Sequence, residues 1–453
     1  MKQLQDYRTH IRKTTHIALP IMLGHLGHVF TGIADTAMVG QVGATALAGA
    51  ALGNSAIAIF LTFGLGISMA ITPMVASDFG SGRKREIASW LRNGFFLGIF
   101  NGLALLAISL LLLPILDLLD QPADAVAVGK PYFVLLALSL VPLMIYQHFK
   151  QFAEGLSLTR FAMFVSVGGN LLNVLLNYLL IFGKGGFPRL ELAGAGYATL
   201  IARLVMALLM FFYVFRSANF KAYHSGFLLK RYRMDKIRKL WNLGYPIGLQ
   251  YVFEAGAFVM AAFMIGWIGK IQLAAHQVAL TLASATYMAA SGLSSAATVR
   301  VGNFIGSRDP ANLKRAATTA YLLVALFMAS TALFFILFRH PLPRFFSNDP
   351  QVQRVASDLL IIAAFFQLSD GVQVVGLGIL RGMKDVRIPT LIALFSFWLI
   401  GLPAGYALAF HLGMQVNGIW VGLAIGLSLS AMLMYRRYLH KLQLFEKYTL
   451  AGR

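Results

Sequence analysis

Gly244-Tyr-Pro-Ile-Gly-Leu-Gln-Tyr-Val-Phe-Glu-Ala-Gly-Ala-Phe-Val-Met-Ala-Ala-Phe-Met-Ile-Gly266 decides how this chain must be read. It is long enough to cross a bilayer, whose hydrocarbon core takes about 20 apolar residues of helix. Its middle nevertheless carries a carboxylate, Glu254. A charge at that depth costs about 3 kcal/mol even on lenient scales, so such a residue is a functional candidate by default.

The rest of the chain has the same character. Of its 453 residues, 58% are hydrophobic and 12% charged, whereas soluble domains carry about 25% charged residues. This predicts an all-α, polytopic membrane protein. Apolar runs of spanning length lie near 16–39, 47–76, 90–116, 131–149, 161–183, 192–215, 241–268, 272–299, 317–338, 355–380, 389–410 and 416–435, twelve in all. The first run is too long for a signal-peptide core and is expected to stay. Cysteine is absent, which excludes disulfides and thiolate metal sites.

An even number of spans puts both termini on one side. That side carries 30 basic residues and the opposite side seven, with Arg203 alone left inside a span. The bias predicts cytoplasmic N and C termini. It also accounts for the net charge of +21 as a topology signal and contact with anionic lipid. Nucleic acid is not an expected partner.

The chain repeats itself. A shift of 226 residues lays Pro20 on Pro246, Gly40 on Gly266, Gly43 on Gly269, Leu47-Ala48 on Leu273-Ala274, Gly66 on Gly292 and Gly80-Ser81 on Gly306-Ser307. A shift of 227 lays Gly155 on Gly382 and Arg160 on Arg387. The expected domains are an N-terminal six-helix lobe (1–215), a basic cytoplasmic linker (216–240), a C-terminal six-helix lobe (241–438) and a basic tail (439–453). Two such halves are a common transporter plan, with the substrate path between them.

Three acids fall well inside spans: Asp35, Glu254 and Asp370. Glu254 lies roughly 20 Å, and Asp370 roughly 16 Å, from the same membrane face at 1.5 Å per helical residue. The two are expected to share a depth and to accept a proton or hold Na⁺ between hard oxygen ligands. Asp35 would serve a second cation site or a positively charged substrate. The repeat places His28 opposite Glu254, and His28 shares a helix face with Asp35 seven residues on. Asn170, Asn173 and Asn177 form one stripe, and Thr199 sits in the next span; together they suit a polar network with Asp35. His25 and His28 lack a third ligand, so no metal site is expected there. Arg203 either pairs with a carboxylate or snorkels. Phe253, Phe258, Phe365 and Phe366 flank the acids and suit flat cations.

The chain contains no Walker loop, zinc motif or nucleophile elbow. An enzyme is not expected, nor is ATP as the driver; the energy source should be an ion gradient.

These residues resemble the multidrug and toxic compound extrusion (MATE) transporters, specifically the NorM-like branch. The resemblance rests on the three acids together with Ala34-Asp-Thr-Ala-Met-Val-Gly40, Gly302-Asn-Phe-Ile-Gly306 and Gly378-Ile-Leu-Arg-Gly-Met-Lys-Asp385. It implies two six-helix lobes that export cationic amphipathic drugs in exchange for Na⁺ or H⁺, with no other cofactor. It also implies a monomer in a bacterial-type inner membrane. Glu254 and Asp370 would form the C-terminal cation site, with possible Na⁺ ligation. Asp35, Asn173, Asn177 and Thr199 would form the N-terminal polar site, with His28, Phe253 and Phe366 lining the cavity. Two positions depart from the family pattern. Asn177 is an amide where some relatives carry an acid, and Phe366 stands where a Tyr hydroxyl helps to hold the cation. A lipid-linked precursor flippase of the same superfamily is the alternative, but its pyrophosphate cargo would want a cationic cavity. A cation channel would not need the repeat.

Overall fold

The computed structural model describes residues 2–118, 121–224, 227 and 232–451. Six residues of the predicted linker (225–226 and 228–231) and the last two of the tail (452–453) lie outside that range. Among the described residues there is no β-strand. Twelve long helical segments follow one another: α1 (Lys2–Gly40), α2 (Ala44–Gly80), α3 (Lys84–Leu111), α4 (Ala123–Gly155), α5 (Thr159–Phe182), α6 (Glu191–Arg216), α7 (Met234–Ile268), α8 (Lys270–Gly306), α9 (Pro310–Leu337), α10 (Pro350–Gly382), α11 (Arg387–His411) and α12 (Gln415–Ala451). Among the described residues, eleven combine the length and apolarity needed to cross a membrane. The twelfth, α8, is 37 residues long but carries Gln272, His276, Gln277, Thr281 and several serines. Much of its length is buried among other helices, which tolerates those groups better than lipid would.

The repeat has a backbone cause. Gly43 and Gly269, immediately before α2 and α8, have φ of 146° and 159° with extended ψ. That region is essentially restricted to glycine. At the far ends of the same helices, Gly82 and Arg308 are left-handed, with φ of 70° and 55°. The Arg83 N–H donates to the Asp78 carbonyl at 2.9 Å, and the Asp309 N–H donates to the Phe304 carbonyl at 3.0 Å. α4 and α10 end the same way, with Ser157 at 65° and Lys384 at 61°. There Leu158 N–H reaches the Ala153 carbonyl, and Asp385 N–H reaches the Leu380 carbonyl, both at 2.9 Å. All four ends are Schellman caps, which satisfy carbonyls that a helix end would otherwise leave unpaired.

The chain divides into two compact units. One comprises Leu23–Gly248. In it α4 packs against α2, α3, α5 and α6 around a core containing Trp90, Phe133, Phe149 and Phe152. The other comprises Met1–Met22 with Leu249–Arg453. There α10 takes the corresponding place against α8, α9 and α12, over Phe366, Phe397 and Trp420. The compact units therefore differ from the sequence halves in where α1 and α7 belong. The change falls after Met22 in α1 and after Gly248 in α7, positions 226 residues apart. Close packing explains it. A Cβ on Gly66 of α2 would overlap the Gly248 backbone, and one on Gly292 of α8 would lie 3.0 Å from Met22 Cα. Each of the two helices is thus seated by a glycine that lets backbones approach.

Polar contacts tie the same segments down. Lys236, at the start of α7, bonds Glu86 of α3 and lies 3.9 Å over the Trp90 ring. At the repeat-equivalent place in the other unit, His10 Nε2 donates to Asn312 Oδ1 at 3.2 Å. Arg300 Nη2 donates to His10 Nδ1 at 2.6 Å. The contact is kept in both units while its chemistry changes from an ion pair to an imidazole–amide bond.

Candidate functional site

In the unit Met1–Met22 with Leu249–Arg453, the site is built where α7 faces α10. Ser294 and Thr298 of α8 donate to the carbonyls of Val374 and Gly378 at 2.6 and 2.8 Å, clamping α10 in place. Gly378 permits the approach, since a Cβ there would overlap the Ser294 carbonyl. On α7, the Phe253 carbonyl accepts from Trp398 Nε1 at 2.9 Å. These supports fix the register of both carboxylates.

Glu254 and Asp370 are both buried, each 7% exposed, and lie within electrostatic reach of each other. Gln373, one turn after Asp370, donates its amide to Glu254 Oε1. Glu254 Oε2 and the amide nitrogen of Gln250, one turn earlier on α7, are both buried and make no hydrogen bond of ordinary geometry, but the Gln250 side chain lies close enough to the Glu254 carboxylate to interact with it weakly. Gln250 Oε1 accepts from Arg381 Nη2 at 3.2 Å, and Arg381 Nη1 donates to the Tyr251 hydroxyl at 3.1 Å. The guanidinium also lies 4.9 Å from the Tyr251 ring centre. Tyr287 of α8 is within electrostatic reach of Glu254, Asp370, Tyr251 and Arg381. Among the described residues the site thus gathers two acids, two amides, one guanidinium and the phenols of Tyr251 and Tyr287. Such a group can take up a proton or a cation at the loosely held oxygen of Glu254.

The unit Leu23–Gly248 holds the second polar centre. Asn177 Nδ2 donates to Asp35 Oδ1 at 2.5 Å. With its amide oriented to suit both neighbours, Asn173 donates to the same oxygen at 3.0 Å and accepts from the Thr199 N–H at 3.3 Å. The Thr199 hydroxyl caps the Ala195 carbonyl at 3.0 Å. Arg203, one turn beyond Thr199, donates to Ser139 Oγ at 2.6 Å. Tyr132 of α4 donates to Asn54 of α2 at 3.2 Å.

The structure thus brings Asp35, Asn173, Asn177 and Thr199 together, and separately sets Glu254 beside the turn of α10 that follows Asp370, joined to it through Gln373. His28 is exposed and makes no hydrogen bond among the described residues. Phe366 points into the core, stacked on Trp420 at 5.5 Å, while Trp420 Nε1 donates to His276. Phe365, its neighbour, faces outward. Phe258 packs on Phe397, and Phe253 enters only through its backbone carbonyl. No cluster of metal-ligating side chains of the His, Asp and Glu kind occurs among the described residues. Sequence reasoning missed Gln250, Gln373, Arg381 and Ser139. The first two carried a usable signal, since each stands one helical turn from an intramembrane acid.

Comparison with known proteins agrees with this architecture. The MatE family model matches twice, over residues 20–179 and 246–407, so its two matches begin 226 residues apart. The multidrug resistance protein MdtK of Photorhabdus laumondii is 34% identical over 441 residues, covering 96% of each chain. That of Yersinia pseudotuberculosis is 35% identical over 444 residues, again covering 96% of each. The eukaryotic MATE transporter AtDTX14 superposes with a TM-score of 0.88 at 18% identity, over 98% of this chain and all of that one. A mutant of the Vibrio cholerae MATE transporter VcmN gives 0.88 at 17% identity, over 97% of this chain and 98% of that one. The fold is that of an α-helical membrane transporter with twelve spans in two lobes. The chain belongs to the MATE family.

Proposed function

We propose that this chain is an ion-coupled antiporter that exports organic cations and drugs. In this reading two lobes, 1–215 and 241–438, alternate access, with the basic linker and tail on the cytoplasmic side. The protein works as a monomer in a bacterial-type inner membrane, with Na⁺ or H⁺ as its only cofactor. The names of the MdtK relatives support multidrug export. The observation that carries ion coupling is the arrangement at Glu254, a buried carboxylate held by neutral amides, firmly by Gln373 and loosely by Gln250, with no direct ion pair to it among the described residues. An acid held this way changes charge when a proton or Na⁺ arrives, and neutralising a buried charge lets its helices repack. Among the described residues each polar centre holds one arginine, Arg203 or Arg381, a poor match for a pyrophosphate cargo, which disfavours a flippase.

The test is dye efflux from proteoliposomes under an imposed Na⁺ gradient or an imposed pH gradient. One gradient should drive efflux by the wild type, and Glu254→Gln and Asp370→Asn should abolish that dependence while inserting normally. Wild-type rates in both variants would overturn the carboxylate mechanism.

A further inference from the structure

His10 stands six residues before the first apolar run begins, near the start of α1, and its neighbours dictate where its proton sits. The chain of contacts starts at Asp309. A carboxylate accepts, so the Asn312 amide turns Nδ2 toward it at 2.6 Å and leaves Oδ1 facing the imidazole. His10 Nε2 lies 3.2 Å from that oxygen and therefore carries a proton. Across the ring, Arg300 Nη2 stands 2.6 Å from Nδ1. A guanidinium has no acceptor, so Nδ1 keeps its lone pair. His10 is thus neutral and in one tautomer. Arg300 is itself seated on α1, donating from Nη1 to the His10 carbonyl at 2.8 Å and to Thr14 Oγ1 at 2.6 Å. His10, Thr14 and Arg300 are all buried, and the whole cluster lies in one compact unit. The charges facing the ring are mostly positive. They are Arg300 of α8, Arg315 of α9 at 3.5 Å from Asn312 Oδ1, and Lys13, with Tyr7 and Lys13 one turn to either side on α1. Asp309 is the acid among them, and both of its oxygens are engaged by Asn312.

We propose that His10 is a proton-operated pin: neutral, it ties the start of α1 to α8 and α9, and protonated, it lets go. A proton on Nδ1 would turn one N–H toward another, exchanging a hydrogen bond for repulsion between two cations. Protonation therefore belongs to the released state. The pin is at full strength above about pH 6.5, where a free imidazole titrates, and weakens as the pH falls below it, by up to about tenfold per unit. The repeat sharpens the point. A shift of 226 lays His10 on Lys236, which makes the matching contact in the other unit as a cation, with Glu86. An ammonium stays charged throughout this range, so of these two straps it is His10 that answers to pH. Because α1 goes on to carry Asp35, release of its first turns slows export as the cytoplasm acidifies. That consequence, unlike the pin itself, rests on the reading of the chain as an exporter with cytoplasmic termini.

The experiment uses the full-length protein, whose lack of cysteine lets Arg12→Cys and Lys314→Cys, both exposed, carry spin labels on α1 and α9. Double electron–electron resonance should give one narrow distance at about pH 8, and a second, broader population that grows as the pH falls from about 6.5 to about 5. His10→Asn sets an amide oxygen where Nδ1 was, an acceptor that does not titrate, and should keep the narrow distance throughout. Arg300→Gln can accept as well as donate, so it should abolish the pH dependence whether or not the pin survives. Wild-type distances unchanged down to about pH 5, or the wild-type pH midpoint in either variant, overturn the pin. Dye efflux from proteoliposomes then reads the regulation, with the face that bears the termini at about pH 8 and at about pH 6. The ratio of wild type to His10→Asn cancels changes in driving force. It should fall by up to about fourfold at the lower pH, the factor by which protonation weakens the pin there. A constant ratio overturns the regulatory role. Failure of the ion-coupling reading would alter wild type and variant alike and leave this ratio untouched.

Discussion

Gln373 donates its side-chain amide to Glu254 Oε1, while buried Glu254 Oε2 makes no hydrogen bond of ordinary geometry and has only the Gln250 amide as a loose neighbour. The asymmetry divides the carboxylate into one oxygen that is held firmly and one that is held loosely. A neutral donor orients the acid without neutralising it, which an arginine in the same place would do. On the proposed mechanism, the loosely held oxygen is where a proton or cation arrives.

Gln373→Leu should therefore remove orientation but keep both acids. Leaving a buried carboxylate oxygen without its donor costs about 1–3 kcal/mol, so coupled efflux should fall roughly tenfold. Initial rates in proteoliposomes, with insertion checked by size-exclusion chromatography, read the effect. Unchanged rates would mean that Gln373 only packs.

Arg381 offers a test of geometry at constant charge. Its fork reaches Gln250 Oε1 and the Tyr251 hydroxyl, and its plane lies over the Tyr251 ring. A lysine is a single point donor and cannot hold both acceptors in a plane. Arg381→Lys should lower the thermal midpoint by a few degrees, the scale expected for about 1 kcal/mol, and should slow efflux. A melting curve and rate equal to wild type would show that charge alone matters there.

The repeat, the spans and the three acids were legible because each carries a large physical penalty. Gly43 and Gly269 hold a backbone shape closed to other residues, and an acid inside a span is too costly to be accidental. Gln250 and Gln373 escaped notice because a neutral amide costs little in a hydropathy profile. Arg381 sits at a span end, where basic residues are expected for orientation, and its second role emerges only when α7 lies beside it. Which face Phe366 shows was decided by Trp420, some fifty residues further on and on another helix. The exchange of α1 and α7 segments between the compact units follows from glycine contacts such as Gly66 with Gly248, for which a sequence carries no distance.

Phe366 leads to a prediction that separates sequence analogy from packing. The family resemblance places a cation-holding tyrosine hydroxyl at this position, yet the ring is 4% exposed and stacked on Trp420. Phe366→Tyr should therefore bury a hydroxyl in the core and destabilise by about 1–3 kcal/mol unless it finds a partner. It should not strengthen Na⁺ dependence of efflux. A lower apparent Km for Na⁺ in the variant would show that the ring can turn toward Asp370.

The helix ends give a final prediction, independent of transport. Gly82 and Arg308 are repeat partners with the same left-handed conformation and the same pair of capping bonds. Ser157 and Lys384 form a second such pair, and neither member is glycine. A non-glycine residue pays about 1–2 kcal/mol for left-handed backbone. Glycine escapes that strain but loses more entropy on folding, about 0.5–1 kcal/mol. The difference has a definite sign. Arg308→Gly and Lys384→Gly should be neutral to stabilising, by up to about 1 kcal/mol, whereas Gly82→Ala should destabilise by a similar amount. Differential scanning fluorimetry of the three variants in one detergent measures the order. A thermal midpoint below wild type for both glycine variants, with Gly82→Ala unchanged, would mean that side-chain contacts rather than backbone shape hold these turns.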